Sequence, residues 1–204
     1  MREIGTFVEI NAYAMATITQ LKRHLKKGQV YRRSDLLSWS NSVDRHLGEL
    51  VEEGTLEKLS HGMYYFPKES VFGKVPPDEQ VLVRSFLQDD DFLVTSPNSF
   101  NTLGVGTTQL YNERTVYNHK RHGKFTLGNQ QFNFRVKPRF PKKVTKEFLL
   151  VDLVNNLDTL AEDPTAVLKN VSAKVATMDK IKLKQSVVRY GDVKTKKIFA
   201  PLML

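Results

Sequence analysis

The sequence predicts an α+β chain in two parts: a small helical unit closed by a β-hairpin, then a larger mixed α/β domain. Three observations predict it. Apolar residues recur at helical spacing between residues 12 and 54. The pattern then changes to two short β-prone runs separated by Ser60, His61 and Gly62. Beyond that, Pro76 and Pro77 lead into alternating helix-like and strand-like segments. The division falls at 72/73, giving domains 1–72 and 73–204.

In the first part, Ile18, Leu21 and Leu25 predict an amphipathic helix over 12–26, which Gly28 stops. Ser34 is the expected N-cap of a short second helix, RSDLLSW, with Leu36 and Leu37 turned inward. A third helix follows in SWSNSVDRHLGELVEEG, residues 38–54. Val43, Leu47, Leu50 and Val51 fall on one face, and Asn41, Arg45 and Gly48 point away from it. Ser40, Asn41 or Ser42 can cap its first turn, and Gly54 stands where a left-handed C-cap belongs. Then come TLEKL and MYYFP, the two arms of a hairpin. Three helices and a hairpin in this order make a winged helix-turn-helix.

In that architecture the second helix of the motif enters the major groove of DNA by its N-terminal end. A first turn of small capping residues brings backbone N–H groups close to phosphate. Arg45, one turn further, can contact guanine, and Asn41 can read adenine. Arg32 and Arg33 precede the helix pair, where phosphate contacts are expected, with Ser40, Ser42, Lys58 and His61 completing the candidate DNA-binding set. Glu49, Glu52 and Glu53 would repel phosphate, so only the N-terminal end can approach. Trp39 reads as a core anchor. The bland alternative is that Ser-Asn-Ser is only a helix cap and the winged helix only a protein-interaction module.

Charge favours a polyanionic partner. The net charge is +9 and the sequence pI is about 9.6. The run 22–33, KRHLKKGQVYRR, carries six Lys/Arg and no acid, and 114–143 carries nine and no acid. Lys120, Arg121, Lys124, Arg135 and Lys137 therefore form a second candidate basic surface, for DNA, RNA or protein. Solvated faces give such runs too.

The second part begins with a linker in FGKVPP and a helix in VLVRSFL. DFLVTSPNSF reads as strand, turn and helix start, and the segment from Thr115 to Phe140 reads as β, with Phe132 and Phe134 alternating with polar residues. From Thr145 the chain reads as helical. Phe148 to Leu157 form a buried helix, with Asp152 interrupting its apolar run. A break is expected at Pro164, and a last helix spans 178–190 and ends at Gly191.

Sites for chemistry are sparse. There is no cysteine, which removes disulfides and thiolate metal sites. His119 and His122 sit among cations without a carboxylate at zinc spacing, so no metal or other cofactor is expected. Gly104-Val105-Gly106 lacks the spacing and lysine of a phosphate loop and reads as a tight turn. No convergent carboxylates mark a nuclease. The expectation is a non-enzymatic protein, with a nucleic-acid-processing activity in the basic domain as the enzymatic rival. No apolar run approaches the ~20 residues of a membrane span, and no signal peptide opens the chain, so a cytoplasmic protein is expected.

Over about residues 30–204 the order of features resembles the AbiEi family, the antitoxins of abortive-infection toxin–antitoxin pairs. The resemblance rests on EEGTLEKLSHGMYYFP, on SFNTLGVGTTQLYNERTVY and on KLKQSVVRYGDVKTKKIFAPLM. It implies an N-terminal winged helix that binds inverted repeats in its own promoter and represses the operon. It also implies a C-terminal domain that neutralises a cognate nucleotidyltransferase toxin. The wing glycine and tyrosine of the family pattern stand here as Gly62 and Tyr64. His61 takes the place of a frequent arginine.

Overall fold

The computed structural model describes residues 18–203, and they form a mixed α+β structure. They fall into two compact units. One holds the described residues up to Asp89 together with Thr126–Asn129; the other holds Asp90–Phe125 and the residues from Gln130 onward. The sequence division at 72/73 thus lies inside the first unit.

In the first unit, the described part of helix α1 covers residues 18–24; residues 12–17 of the expected helix lie outside the described residues. Its apolar stripe is buried at Ile18, Leu21 and Leu25. Gly28 follows at φ +85°, and its N–H donates to Phe66 O at 2.6 Å. A Cβ there would lie 2.3 Å from the Lys68 side chain, so glycine is required both for conformation and for space.

Strand β1 (Val30–Arg32) then forms inside the basic run, where no strand is expected from pattern. Its central Tyr31 is buried and its neighbours are half-exposed. Helix α2 (Arg33–Leu36) follows directly. Its N-cap is Arg32 rather than Ser34: the Asp35 carboxylate reaches back and accepts the Arg32 N–H at 2.9 Å, so the helix starts two residues early. A 3-10 turn covers Leu37–Trp39. Leu36 is fully buried but Leu37 is 49 % exposed, because the tighter turn rotates it off the inner face.

Helix α3 (Val43–Glu52) buries Val43, Leu47 and Leu50 in one core with Leu21, Leu25, Leu36 and Leu56. Ser42 is its N-cap, yet the Ser42 side chain makes no capping bond. Gly54 ends it at φ +74°. Strands β2 (Glu57–Ser60) and β3 (Met63–Tyr65) form the expected hairpin, turning at His61-Gly62. β1 joins them antiparallel in the order β1-β3-β2.

The expected linker contains further structure. Strands β4 (Lys68–Ser70) and β5 (Gly73–Val75) make a second hairpin with Val71 and Phe72 at its tip. Both strands are wholly exposed, so they carry no burial pattern that sequence periodicity could detect. Helix α4 (Glu79–Leu87) closes the unit, capped by Asp78, whose Oδ1 accepts the N–H groups of Gln80 and Val81.

A four-stranded sheet joins β6 (Phe92–Thr95), β7 (Glu113–Asn118), β8 (Gly123–Leu127) and β9 (Gln130–Val136) in the order β6-β7-β9-β8; apart from Thr126 and Leu127 of β8, its residues belong to the second unit. β6 and β7 run antiparallel, β7 and β9 parallel. Gly104 and Gly106 both adopt positive φ in the long β6–β7 connection.

Four helices follow. α5 (Lys146–Asn156) is buried at seven consecutive positions, Phe148 to Val154. α6 (Pro164–Val175) begins at Pro164, which was expected to mark a break. Proline suits a first helical position, where its missing N–H has no intrahelical partner to lose. α7 (Lys180–Tyr190) ends at Gly191, and a short α8 (Val193–Phe199), not expected from pattern, follows from Asp192 as cap. The core joins Leu150, Val151 and Leu153 of α5 with Val171, Leu183 and Phe199.

Candidate nucleic-acid interface

Asn41, Ser42 and Arg45 are all exposed at the start of α3. The Arg45 guanidinium lies 3.6 Å from Glu49 Oε1 and 3.4 Å from His46 Nε2, leaving half of its side chain open to solvent. Ser40 is different. It is buried, and its Oγ shares a hydrogen bond of 2.7 Å with Nδ1 of the equally buried His46. The same Oγ accepts the Ser42 N–H at 3.1 Å. Ser40 therefore fixes the first turn of α3 from within, and it is Asn41, Ser42 and Arg45 that face outward.

Arg33 ties this turn to its surroundings. Its guanidinium donates to both oxygens of Asp44 at 2.6 Å, and its backbone N–H donates to Gly62 O at 2.9 Å. The bidentate pair lowers the Asp44 carboxyl below its usual range and raises the Arg33 guanidinium, in each case chiefly through the hydrogen bond between them. Both groups are exposed, so the pair contributes little to stability. Its consequence is positional: the β2–β3 turn and the α3 start share one anchor. His61 and Lys58, on the same hairpin, are exposed.

Arg32, expected at phosphate, points elsewhere. Its Nη1 donates to Ser85 O at 2.8 Å and to Phe86 O at 3.4 Å, carbonyls in the last turn of α4. A cation at a helix C-terminus complements the dipole and unsatisfied carbonyls there. Trp39 is half-buried, stacked on His24 with ring centroids 4.8 Å apart. Glu53 is paired with Lys22 at 2.6 Å, and the Lys22 bond holds its carboxyl below the usual range.

The residues of the second basic surface differ in exposure and in the partners they meet. Lys120 and Arg121 are exposed at the turn after β7, where their backbone N–H groups donate to Asn118 Oδ1. The other three face carboxylates or amides. Lys124 lies 2.8 Å from Glu113, Arg135 donates to Asn156 Oδ1, and Lys137 lies 3.8 Å from Asp152 and 4.6 Å above the Tyr117 ring. The run lacks acids in sequence, but Glu113 and Asp152 from outside the run meet it in space.

The groups that sequence reasoning missed are Asp152, Tyr117 and Asn156. Tyr117 Oη donates to Asp152 Oδ1 at 2.7 Å and accepts from Asn156 Nδ2 at 3.2 Å. Burial pushes both the Asp152 carboxyl and the Tyr117 hydroxyl upward. The available signal was Asp152 itself, a charge in the middle of an apolar helix. Among the described residues, no group of three or more His, Asp or Glu is placed to hold a metal ion, and no helix is long and apolar enough to cross a membrane.

Comparison with protein families and with curated proteins gives no match. Among solved structures, the chain is similar to the crystal structure of the Rv2827c protein from Mycobacterium tuberculosis, with a TM-score of 0.59 and 15 % identity over 94 % of this chain and 76 % of that one. At that identity the likeness is one of fold.

Proposed function

We propose that the chain is a DNA-binding transcriptional autorepressor of the AbiEi antitoxin type, whose first unit is a winged helix-turn-helix. In this reading α2 and α3 are the helix pair, α3 is the recognition helix, and β2–β3 is the wing. The observation that carries it is the exposed N-terminal turn of α3, which presents Asn41, Ser42 and Arg45 while its apolar face is buried. Arginine and asparagine are the side chains that make bidentate contacts to guanine and adenine. The wing turn is held to the same helix start through Arg33, so both elements meet a duplex from one side. Lys58 and His61 contact the backbone there.

The second unit has the antitoxin role in this reading, acting against a cognate nucleotidyltransferase toxin. The protein is a cytoplasmic binding protein without catalytic activity. A gel-shift titration of the full chain on the DNA upstream of its own gene tests the reading. A discrete complex that resists scrambled competitor supports it. No complex at low salt, or equal competition by scrambled duplex, contradicts it.

A further inference from the structure

His46 is buried, while Arg45 beside it in sequence is half-exposed. Adjacent positions on a helix ordinarily point apart. Here the two side chains converge, with Arg45 Nη2 3.4 Å from His46 Nε2. The other ring nitrogen, Nδ1, lies 2.7 Å from Ser40 Oγ, and that oxygen accepts the N–H of Ser42, the N-cap of α3. A continuous path therefore runs from the helix cap through a buried ring to an exposed guanidinium.

The two ends of this path decide which ring nitrogen carries the proton. A guanidinium has only donors, so Nε2 must be the acceptor in its contact with Arg45. The ring proton then stands on Nδ1, which donates to Ser40 Oγ. The opposite tautomer would set an N–H against the guanidinium. Ser40 thus favours the ring form that can hold Arg45.

The contacts of Arg45 fall on one edge of its guanidinium. Nε and Nη2 share that edge; Nε lies 3.6 Å from Glu49 Oε1, and Nη2 meets His46. The Nη1–Nη2 edge keeps its paired N–H groups, the fork that guanine O6 and N7 accept. Glu49 is an exposed partner, and such pairs contribute little. His46, fixed by burial and by Ser40, is the rigid partner. Buried support of this kind keeps a recognition side chain in its productive geometry. We propose that His46 is a positioning residue for base reading: it stays off the duplex and presets the Arg45 guanidinium with its open fork outward. The proposal rests on the reading of α3 as the recognition helix.

Operator and scrambled-duplex affinities at fixed salt, with urea unfolding of the same full-length chains, test this through two substitutions that divide the ring. An Asn amide stands where Nδ1 stands and leaves nothing at Nε2. A Gln amide reaches the Nε2 position and leaves Ser40 without its ring partner. His46→Asn should keep most of the stability and lower the operator-to-scrambled ratio about two- to tenfold, because a long side chain must then be ordered on binding. His46→Gln should unfold at lower urea, through the lost Ser40 bond, and hold the ratio within about twofold of the wild type. A ratio that falls in His46→Gln, or one that holds in His46→Asn while Arg45→Ala collapses it, overturns the proposal. An unchanged ratio in Arg45→Ala fails the reading of α3 itself, and the positioning role with it. A second measurement needs no substitution. Long-range proton–nitrogen NMR correlation on the wild-type chain at neutral pH should place the His46 ring proton on Nδ1 alone. A proton on Nε2, with or without one on Nδ1, overturns the proposal.

Discussion

Arg33 grips Asp44 with two hydrogen bonds of 2.6 Å, and through its own backbone it also holds the β2–β3 turn at Gly62. One residue thus relates the start of α3 to the hairpin beside it. The pair also removes an exposed negative charge from the surface proposed to meet DNA. Asp44→Asn should therefore free the Arg33 guanidinium for phosphate. Affinity should rise on all duplexes, and the slope of log K against log salt should steepen by about one. An unchanged slope, measured by fluorescence anisotropy across a salt series, would place Asp44 and Arg33 away from the duplex.

Arg32 supplies the matching contrast. Its guanidinium lies on the Ser85 and Phe86 carbonyls, so Arg32→Ala should cost about 1.5–3 kcal/mol of stability. The salt slope of DNA binding should stay as it is. Urea unfolding and the same anisotropy series separate the two effects; a lost phosphate contact without lost stability would refute the assignment.

The Ser40–His46 bond is the internal brace of the α3 start. Ser40→Ala removes one partner of a buried imidazole and should cost about 1–3 kcal/mol. The loss should be seen in urea unfolding at pH 7. A Ser40→Ala chain as stable as the wild type would show that the bond does not brace the turn.

Asp152 gives stability a pH dependence of known sign. Burial raises its carboxyl above the ordinary range, so the folded state favours the protonated form. Its contribution is fully present below the unfolded value, about 4, and is lost as pH rises through the raised folded value. Compared with Asp152→Asn, the wild type should therefore lose relative stability as pH increases from about 4 toward neutrality. Paired urea titrations over that range check it. A difference that stays flat or changes in the opposite direction would show that the carboxyl is not raised.

The helices with an apolar stripe were legible because burial imposes a period on them: α3 is buried at Val43, Leu47 and Leu50, as its spacing predicts. What escaped lacked such a period. The exposed β4–β5 hairpin buries neither strand, and β1 is three residues long with a single buried side chain. α8 is seven residues, shorter than a periodic window. Site chemistry was legible only where it is local. Asn41 and Arg45 are exposed, as the helical wheel places them, but Arg32 and Arg135 are answered by Ser85 and Asn156, partners remote in sequence. The Tyr117–Asp152 bond spans 35 residues, and only the odd charge in an apolar run hinted at it.

The central claim is that the exposed end of α3 reads bases. The most direct measurement is the ratio of affinities for the upstream operator and a scrambled duplex, at fixed salt, for the wild type and Arg45→Ala. Arg45→Ala should lose about 1–3 kcal/mol on the operator and much less on the scrambled duplex, so that the ratio collapses. Equal loss on both duplexes, or no loss on either, would contradict it.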